Sequence, residues 1–210
     1  DTLRFEFGKS KWTYAIRKDI LKNEGALLIP EKRPHWMVVD DEKGSIPVTS
    51  PNGRYQAYIK NDNIYVKELA GGKEKQVSID GTLSNYYSAN IQWSPDSKYV
   101  VSCKIRPIEK RYIYYVESSP KDQLQPKLHK QEYAKPGDEL RFKIPCIYNV
   151  EDGKASIPSA GLFNSHFDIT NVKWNYDCRA VTFQSNQRVH QVYRLLASSA
   201  TSGYIRLLVQ

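Results

Sequence analysis

Ile91-Gln92-Trp93-Ser94-Pro95-Asp96-Ser97-Lys98-Tyr99-Val100-Val101-Ser102-Cys103 reads as a short strand, a tight polar turn and a second strand. Pro95 presets φ at the second turn position, and Asp96 beside it tolerates the tight geometry. The stretch from Tyr99 to Cys103 is dense in β-formers. The same pattern occurs twice more. Upstream it is Ile46-Pro47-Val48-Thr49-Ser50-Pro51-Asn52-Gly53-Arg54-Tyr55, continuing to Ile59; downstream it is Val172-Lys173-Trp174-Asn175-Tyr176-Asp177-Cys178-Arg179-Ala180-Val181, continuing to Phe183. A unit that recurs in this way is the mark of a repeat architecture.

Each repeat closes with a second hairpin. The first runs Ile64 to Leu69, turns at Gly71-Gly72 and returns through Lys75 to Val77. The second runs Ile147 to Val150, turns at Asp152-Gly153 and returns through Ala155 to Ile157. The third runs Val192 to Leu196, turns at Ser202-Gly203 and returns through Ile205 to Leu208. Asp-Gly and Gly-Gly between apolar runs are strong hairpin signals. Four strands per unit make a propeller blade.

Spacing locates an insertion. Gly53 to Gly72 is 19 residues and Cys178 to Gly203 is 25, whereas Ser97 to Gly153 is 56. The excess over the first repeat is 37, the length of the polar, Pro-bearing segment from Arg106 to Phe142, within which Arg111 to Ser118 alternates as an extra strand. At the N-terminus, Trp12 to Ile16 reads as a strand, Lys18-Asp19 as a turn and Ile20 to Lys22 as a short return. The expected fold is all-β. It is a partial β-propeller of about three four-stranded antiparallel blades plus an N-terminal stub, with a long insertion in the middle blade. The expected boundaries are stub 1–24, blade 46–80, blade 90–158 with insertion 106–142, and blade 171–210, together a fragment of one propeller domain. Propellers close with 4 to 8 blades, so the chain reads as a piece of a larger ring.

Composition agrees. Among 210 residues there are 15 Tyr and 4 Trp but one Met, and Tyr and Trp favour strands. No apolar run approaches the 18 or so residues of a membrane span. The start, Asp1-Thr2-Leu3-Arg4-Phe5-Glu6-Phe7, lacks the basic and apolar regions of a signal peptide and has no initiator Met, as in a mature or trimmed chain. Net charge is +8, of which Lys98 to Lys143 supplies +5 through 11 Lys/Arg against 6 Asp/Glu. No nucleic-acid recognition motif accompanies that charge, so it reads as a solvated loop and no nucleic-acid partner is expected. Cys103, Cys146 and Cys178 lack the close spacing of a zinc site. They read as buried small hydrophobes, with a Cys103–Cys146 bridge left open because both fall on predicted strands of one repeat. No metal or other cofactor is expected.

Trp93-Ser94-Pro95-Asp96-Ser97, Asn63-Ile64-Tyr65-Val66, the insertion ending Glu132-Tyr133-Ala134-Lys135-Pro136-Gly137-Asp138, and Asn186 to Arg194 follow one another in this order. Together, over residues 5–210, they resemble the propeller of bacterial dipeptidyl peptidase IV-like enzymes, in the prolyl oligopeptidase group of serine peptidases. The resemblance implies a C-terminal α/β-hydrolase domain in the same polypeptide, a propeller that caps its active site and filters peptide substrates, a homodimeric parent, and a periplasmic or extracellular location. The nucleophile elbow G-x-S-x-G does not occur in this chain. His35, His129, His166 and His190 lack the context of a general base and read as surface or loop residues. This chain alone is therefore expected to be inactive, with no catalytic residue. The alternative is a stand-alone propeller serving as a protein- or peptide-binding scaffold.

Family members that release dipeptides hold the substrate amine with two adjacent propeller glutamates shortly before the Trp-Ser-Pro motif. Here that stretch, Gly81 to Asn90, contains no acid; Asp80 reads as a turn residue and Asp40-Asp41-Glu42 lies in a polar loop far along the chain. The expectation is a weakened preference for a free N-terminus. Glu117 and Glu132, in the insertion, are the candidate substrate-binding residues should a replacement swing in.

Overall fold

A computed structural model describes residues 2–7, 10–26 and 42–210. The chain divides into two compact units, Asp1–Val38 and Val39–Gln210.

The first unit is an antiparallel meander of β1 (Thr2–Phe7), β2 (Ser10–Ala15) and β3 (Ile20–Ala26). The strands β2 and β3 were legible in the sequence. Strand β1 is an addition: Leu3, Phe5 and Phe7 recur at the period of two that marks a strand, and it pairs with β2 from Thr2↔Ala15 to Phe7↔Ser10. Asp19 takes a positive φ of 51° at the β2–β3 turn, where its carboxylate accepts from the Tyr14 hydroxyl at 2.7 Å.

The second unit is all-β. Its first sheet runs in order β4 (Val48–Thr49), β5 (Tyr55–Lys60), β6 (Asn63–Glu68), β7 (Glu74–Gln76). In the next, β8 (Tyr86–Tyr87) and β9 (Gln92–Trp93) both pair with β10 (Tyr99–Arg106). The chain then leaves as a separate hairpin, β11 (Tyr112–Glu117) and β12 (Lys127–Glu132), before β13 (Phe142–Asn149) and β14 (Ala155–Ser156) complete the sheet. The last sheet runs β15 (His166–Trp174), β16 (Ala180–Gln187), β17 (Tyr193–Ser199), β18 (Ile205–Val209). This is the architecture of a partial propeller with its insertion in the middle blade. Two details differ from the sequence reading. The insertion holds two strands rather than one, and the middle blade's inner strand is split between Tyr87 and Gln92: Ser88 N–H still donates to Cys103 O of β10, but Ala89 N–H turns to Glu42 O and Ile91 N–H to Ala89 O.

The repeat is visible bond by bond. Gly53, Ser97 and Cys178 occupy one turn position with φ of 69°, 63° and 57°, and each donates its N–H three residues back, to Ser50, Ser94 and Asn175. Gly72, Gly153 and Gly203 each donate four residues back, to Glu68, Asn149 and Ser199. Leu69, Val150 and Ala200 each tie the second hairpin to the first, donating to Arg54, Lys98 and Arg179. Different side chains thus satisfy the same backbone demand.

The blades pack through buried apolar clusters. Ala57, Ile64 and Val66 of the first blade meet Ile91, Val100 and Cys146 of the second; Val101 and Ile147 of the second meet Val181 and Ala200 of the third. Both tryptophans lie between blades, as their matching positions predict. Trp93 stacks on Tyr55 at 6.2 Å and Trp174 tilts against Tyr99 at 6.1 Å.

Cys103 and Cys146 are free thiols. The register pairs Ser102 with Cys146 and Cys103 with Pro145, and side chains alternate across a strand, so the two thiols face opposite sides of the sheet. Cys146 sits in the cluster with Tyr87 and Tyr148, Cys103 in that with Tyr86 and Ile105. The bridge that the sequence left open is excluded by this geometry, and burial pushes both thiols up to about 12.

Candidate functional site

The blade ends that carry the β11–β12 hairpin also gather the most concentrated charge in the interior. Glu42 enters with a positive φ of 52°. Its carboxylate accepts from Lys143 Nζ at 2.6 Å and from Ser88 Oγ at 2.6 Å, and lies 3.7 Å from the Arg141 guanidinium. Arg141 also reaches Asp168 at 3.5 Å. The side chains of Glu42, Lys143 and Arg141 are 11–12% exposed. Burial pushes the Glu42 carboxyl up, but Lys143, Ser88 and Arg141 outweigh it and hold the group below the usual carboxylate range. Charges this far from water persist only when paired and hydrogen-bonded.

His166 adjoins the cluster and is buried, contrary to its reading as a surface or loop residue. It begins β15, and its Nε2 accepts the Lys143 backbone N–H at 3.0 Å while Nδ1 lies 2.5 Å from Phe163 O. Nε2 as acceptor and Nδ1 as donor describe a neutral ring, and burial pushes its pKa down. His129 bonds Glu117 and His190 bonds Asn186; His35 lies outside the described residues. No described histidine engages a serine or cysteine as a general base would. Among the described residues, no three His, Cys, Asp or Glu side chains gather as a metal centre requires.

A second, partly buried network sits on β8. The Tyr87 hydroxyl donates to Asp80 at 2.8 Å and lies 2.5 Å from the Tyr148 hydroxyl, and Lys104 Nζ pairs with Asp80 at 2.6 Å. Burial pushes both phenols up, so both remain protonated donors.

The structure does not bring the two candidate glutamates together. They lie at opposite ends of the hairpin, Glu117 opposite Lys127 and Glu132 opposite Tyr112, which is about 17 Å at strand rise. Glu117 is 2.8 Å from His129 and Glu132 is 3.6 Å from Lys110. Two acids do reach the 81–90 stretch: Asp80, read from the sequence as a turn residue, accepts from Tyr87, and Glu42, which sequence distance concealed, accepts from Ser88. The insertion's basic charge is also partly paired, through Arg111–Asp138 at 3.6 Å and Lys127 with Asp122. Lys130 lies over the Tyr112 ring at 3.7 Å. The insertion is thus solvent-exposed, as its charge suggests, but holds a paired hairpin rather than an irregular loop.

The family profile described as "Dipeptidyl peptidase IV (DPP IV) N-terminal region" matches residues 2–209. Among solved structures, the chain is similar to dipeptidyl peptidase 4 of Porphyromonas gingivalis, at 17% identity and a TM-score of 0.57, covering 99% of this chain and 30% of that one. It is similar as well to a Bacteroides ovatus protein named as a dipeptidyl aminopeptidase IV, at 16% identity and a TM-score of 0.55, covering 99% and 28%. At these identities the likeness concerns the fold. The chain spans less than a third of either protein's length.

Proposed function

This chain belongs to the dipeptidyl peptidase IV N-terminal region family, and from that premise we propose that it is the non-catalytic propeller portion of a dipeptidyl peptidase IV-like serine peptidase. Residues 1–210 are then a fragment of one propeller domain. In this reading the propeller caps the active site of a C-terminal α/β-hydrolase domain in the same polypeptide and filters the peptides that reach it. The proteolytic parent works in the periplasm or outside the cell, as a homodimer. The observation that carries the reading is the family match across residues 2–209 on a chain whose described histidines are all engaged away from any nucleophile.

The hairpin supports the dimer. Tyr114, Val116 and Leu128 share one face and are 60%, 61% and 71% exposed, and a two-stranded ribbon is marginal without cover. Among the described residues, no helix is long and apolar enough to cross a membrane.

The test is expression of the complete reading frame beside residues 1–210 alone. The complete protein should cleave a Gly-Pro chromogenic substrate and lose that activity to a serine-directed covalent inhibitor, while the 210-residue chain should release no product. A complete protein with no Gly-x-Ser-x-Gly domain that binds peptides without cleaving them would replace this reading with the scaffold.

A further inference from the structure

Several ties fix the point at which the insertion re-enters the second blade. Arg141 reaches Glu42 and Asp168, and Lys143 Nζ pairs with Glu42. The Phe142 ring lies 4.9 Å from the His166 ring, and the Lys143 backbone N–H donates to His166 Nε2 at 3.0 Å. The last tie has no substitute in the sheet. β14 pairs with β13 at Ile147 and Tyr148, beyond the reach of Lys143, which is 8% exposed. Without the ring, this N–H would be a buried donor lacking a partner.

The ring holds that bond in one protonation state only. A backbone N–H only donates and Phe163 O only accepts, so Nε2 is bare and Nδ1 carries the proton. A second proton would set one N–H against another. Most of the surroundings oppose it. Lys143 and Arg141 stand on the β13 side, and Arg194 of β17 lines the same small recess as the ring. Arg188 bonds Ser165 O through its backbone, and Arg106 of β10 lies over the Phe142 ring at 5.4 Å. The segment 157–165 contains no acid. Asp168 favours a charged ring but is shared with Arg141. Glu42 is held below the usual carboxylate range, so it keeps its charge in mild acid. His190, between β16 and β17, bonds Asn186 and stands edge-on to Phe167. Burial, with Lys143 and Arg141 at hand, holds the His166 pKa below its ordinary value against the pull of Phe163 O and Asp168.

We propose that His166 is a proton-operated latch: neutral, it ties the return limb of the insertion, residues 133–142, to the third blade; protonated, it releases Lys143 and frees that limb. Such a latch does not depend on the peptidase reading. The folded ring binds its proton more weakly than a free imidazole, so the closed form is fully favoured above about pH 6.5. Below that, and down to the folded pKa, each pH unit shifts the balance toward the open form by about tenfold.

Hydrogen exchange of the intact protein containing this chain, read by mass spectrometry between about pH 7.5 and 5, tests the latch. Protection of the Lys143 amide, relative to its intrinsic rate at each pH, should fall by about tenfold per unit below about pH 6.5. The Val150 amide, bonded to Lys98 O at the other end of the sheet, should keep its protection. Slow exchange at the imidazole Cε1 should place the His166 midpoint below the ordinary histidine value. His166→Gln offers an uncharged acceptor in place of Nε2 and should abolish the pH dependence, whereas His190→Gln should leave it intact. If His166→Gln does not fold, the wild-type slope, the Val150 control and the His166 midpoint carry the test. Lys143 protection unchanged down to about pH 5, Val150 protection falling in step with it, an ordinary or raised His166 midpoint, or a slope that survives His166→Gln overturns the proposal.

Discussion

The indole N–H of Trp93 donates to the backbone carbonyl of Val48 at 2.8 Å, across the junction between the first and second blades. One blade further on, Trp174 donates to Gln92 O at 3.3 Å. Val48 and Gln92 hold the same position in their repeats, as do Thr49, Trp93 and Trp174. The second and third blades therefore each use the first-strand tryptophan to satisfy a carbonyl on the inner strand of the blade before, and pack the same ring against that blade's second-strand tyrosine.

Replacing Trp93 by Phe should cost about 1 kcal/mol for the lost hydrogen bond, and by Ala about 3–5 kcal/mol for ring and cavity together. Urea unfolding resolves the two. Trp174, less buried, should follow the same order with smaller losses.

The Glu42 carboxyl is held below its ordinary value when folded. Its stabilisation is therefore fully present above the unfolded value of about 4.3 and is lost as pH falls through the folded value. Glu42→Gln should flatten the acid limb of the stability–pH curve while destabilising the protein near neutrality, since Lys143 and Arg141 lose their carboxylate. Chemical denaturation between pH 3 and 7 reads both effects.

Gly203 and Gly53 separate backbone conformation from steric approach. Both have positive φ, 67° and 69°. A Cβ on Gly53 meets open space, while one on Gly203 falls 2.6 Å from Ile157 O. Gly53→Ala should cost about 1 kcal/mol for the left-handed conformation alone. Gly203→Ala should cost at least about 2 kcal/mol more as the blade junction shifts, and equal losses in thermal unfolding would contradict the close approach.

Ser198 is fully buried, and its hydroxyl is the one solvent-inaccessible side-chain polar atom without a hydrogen-bond partner among the described residues. Ser198→Ala removes that group without opening a large cavity, so stability should be unchanged or rise by up to about 1 kcal/mol. A loss of similar size would reveal an unrecognised partner.

Under the proposed peptidase reading, the full-length protein should tolerate a blocked substrate N-terminus. Glu42 is already matched to Lys143 and Arg141, and Glu117 and Glu132 stand far apart, so none of the three offers a paired site for an ammonium. Blocking the amine of a Gly-Pro substrate should lower kcat/KM by less than about a hundredfold, or about 2.7 kcal/mol. A larger loss would show an anchor beyond these residues.

The repeat, its turns and the length of the insertion were determined by the sequence itself, because each rests on neighbours within a few residues. Pro51 and Pro95 preset their turns, Gly72, Gly153 and Gly203 supply positive φ, and Arg106 to Phe142 measures the insertion to the residue at which β13 begins. The tryptophans' place between blades followed from the same repetition. Strand β12 escaped because Lys127–Glu132 is polar and exists through its pairing with β11. The split of the inner strand after Ser88 escaped because Glu42, far off in sequence, takes the Ala89 N–H out of the sheet. Only the tertiary structure decided the charged cluster. Glu42, Ser88, Lys143 and Asp168 lie up to 126 residues apart in the chain. Charge and hydrogen-bond energies depend on separation in space, to which spacing along the chain is blind once the blades fold back on one another.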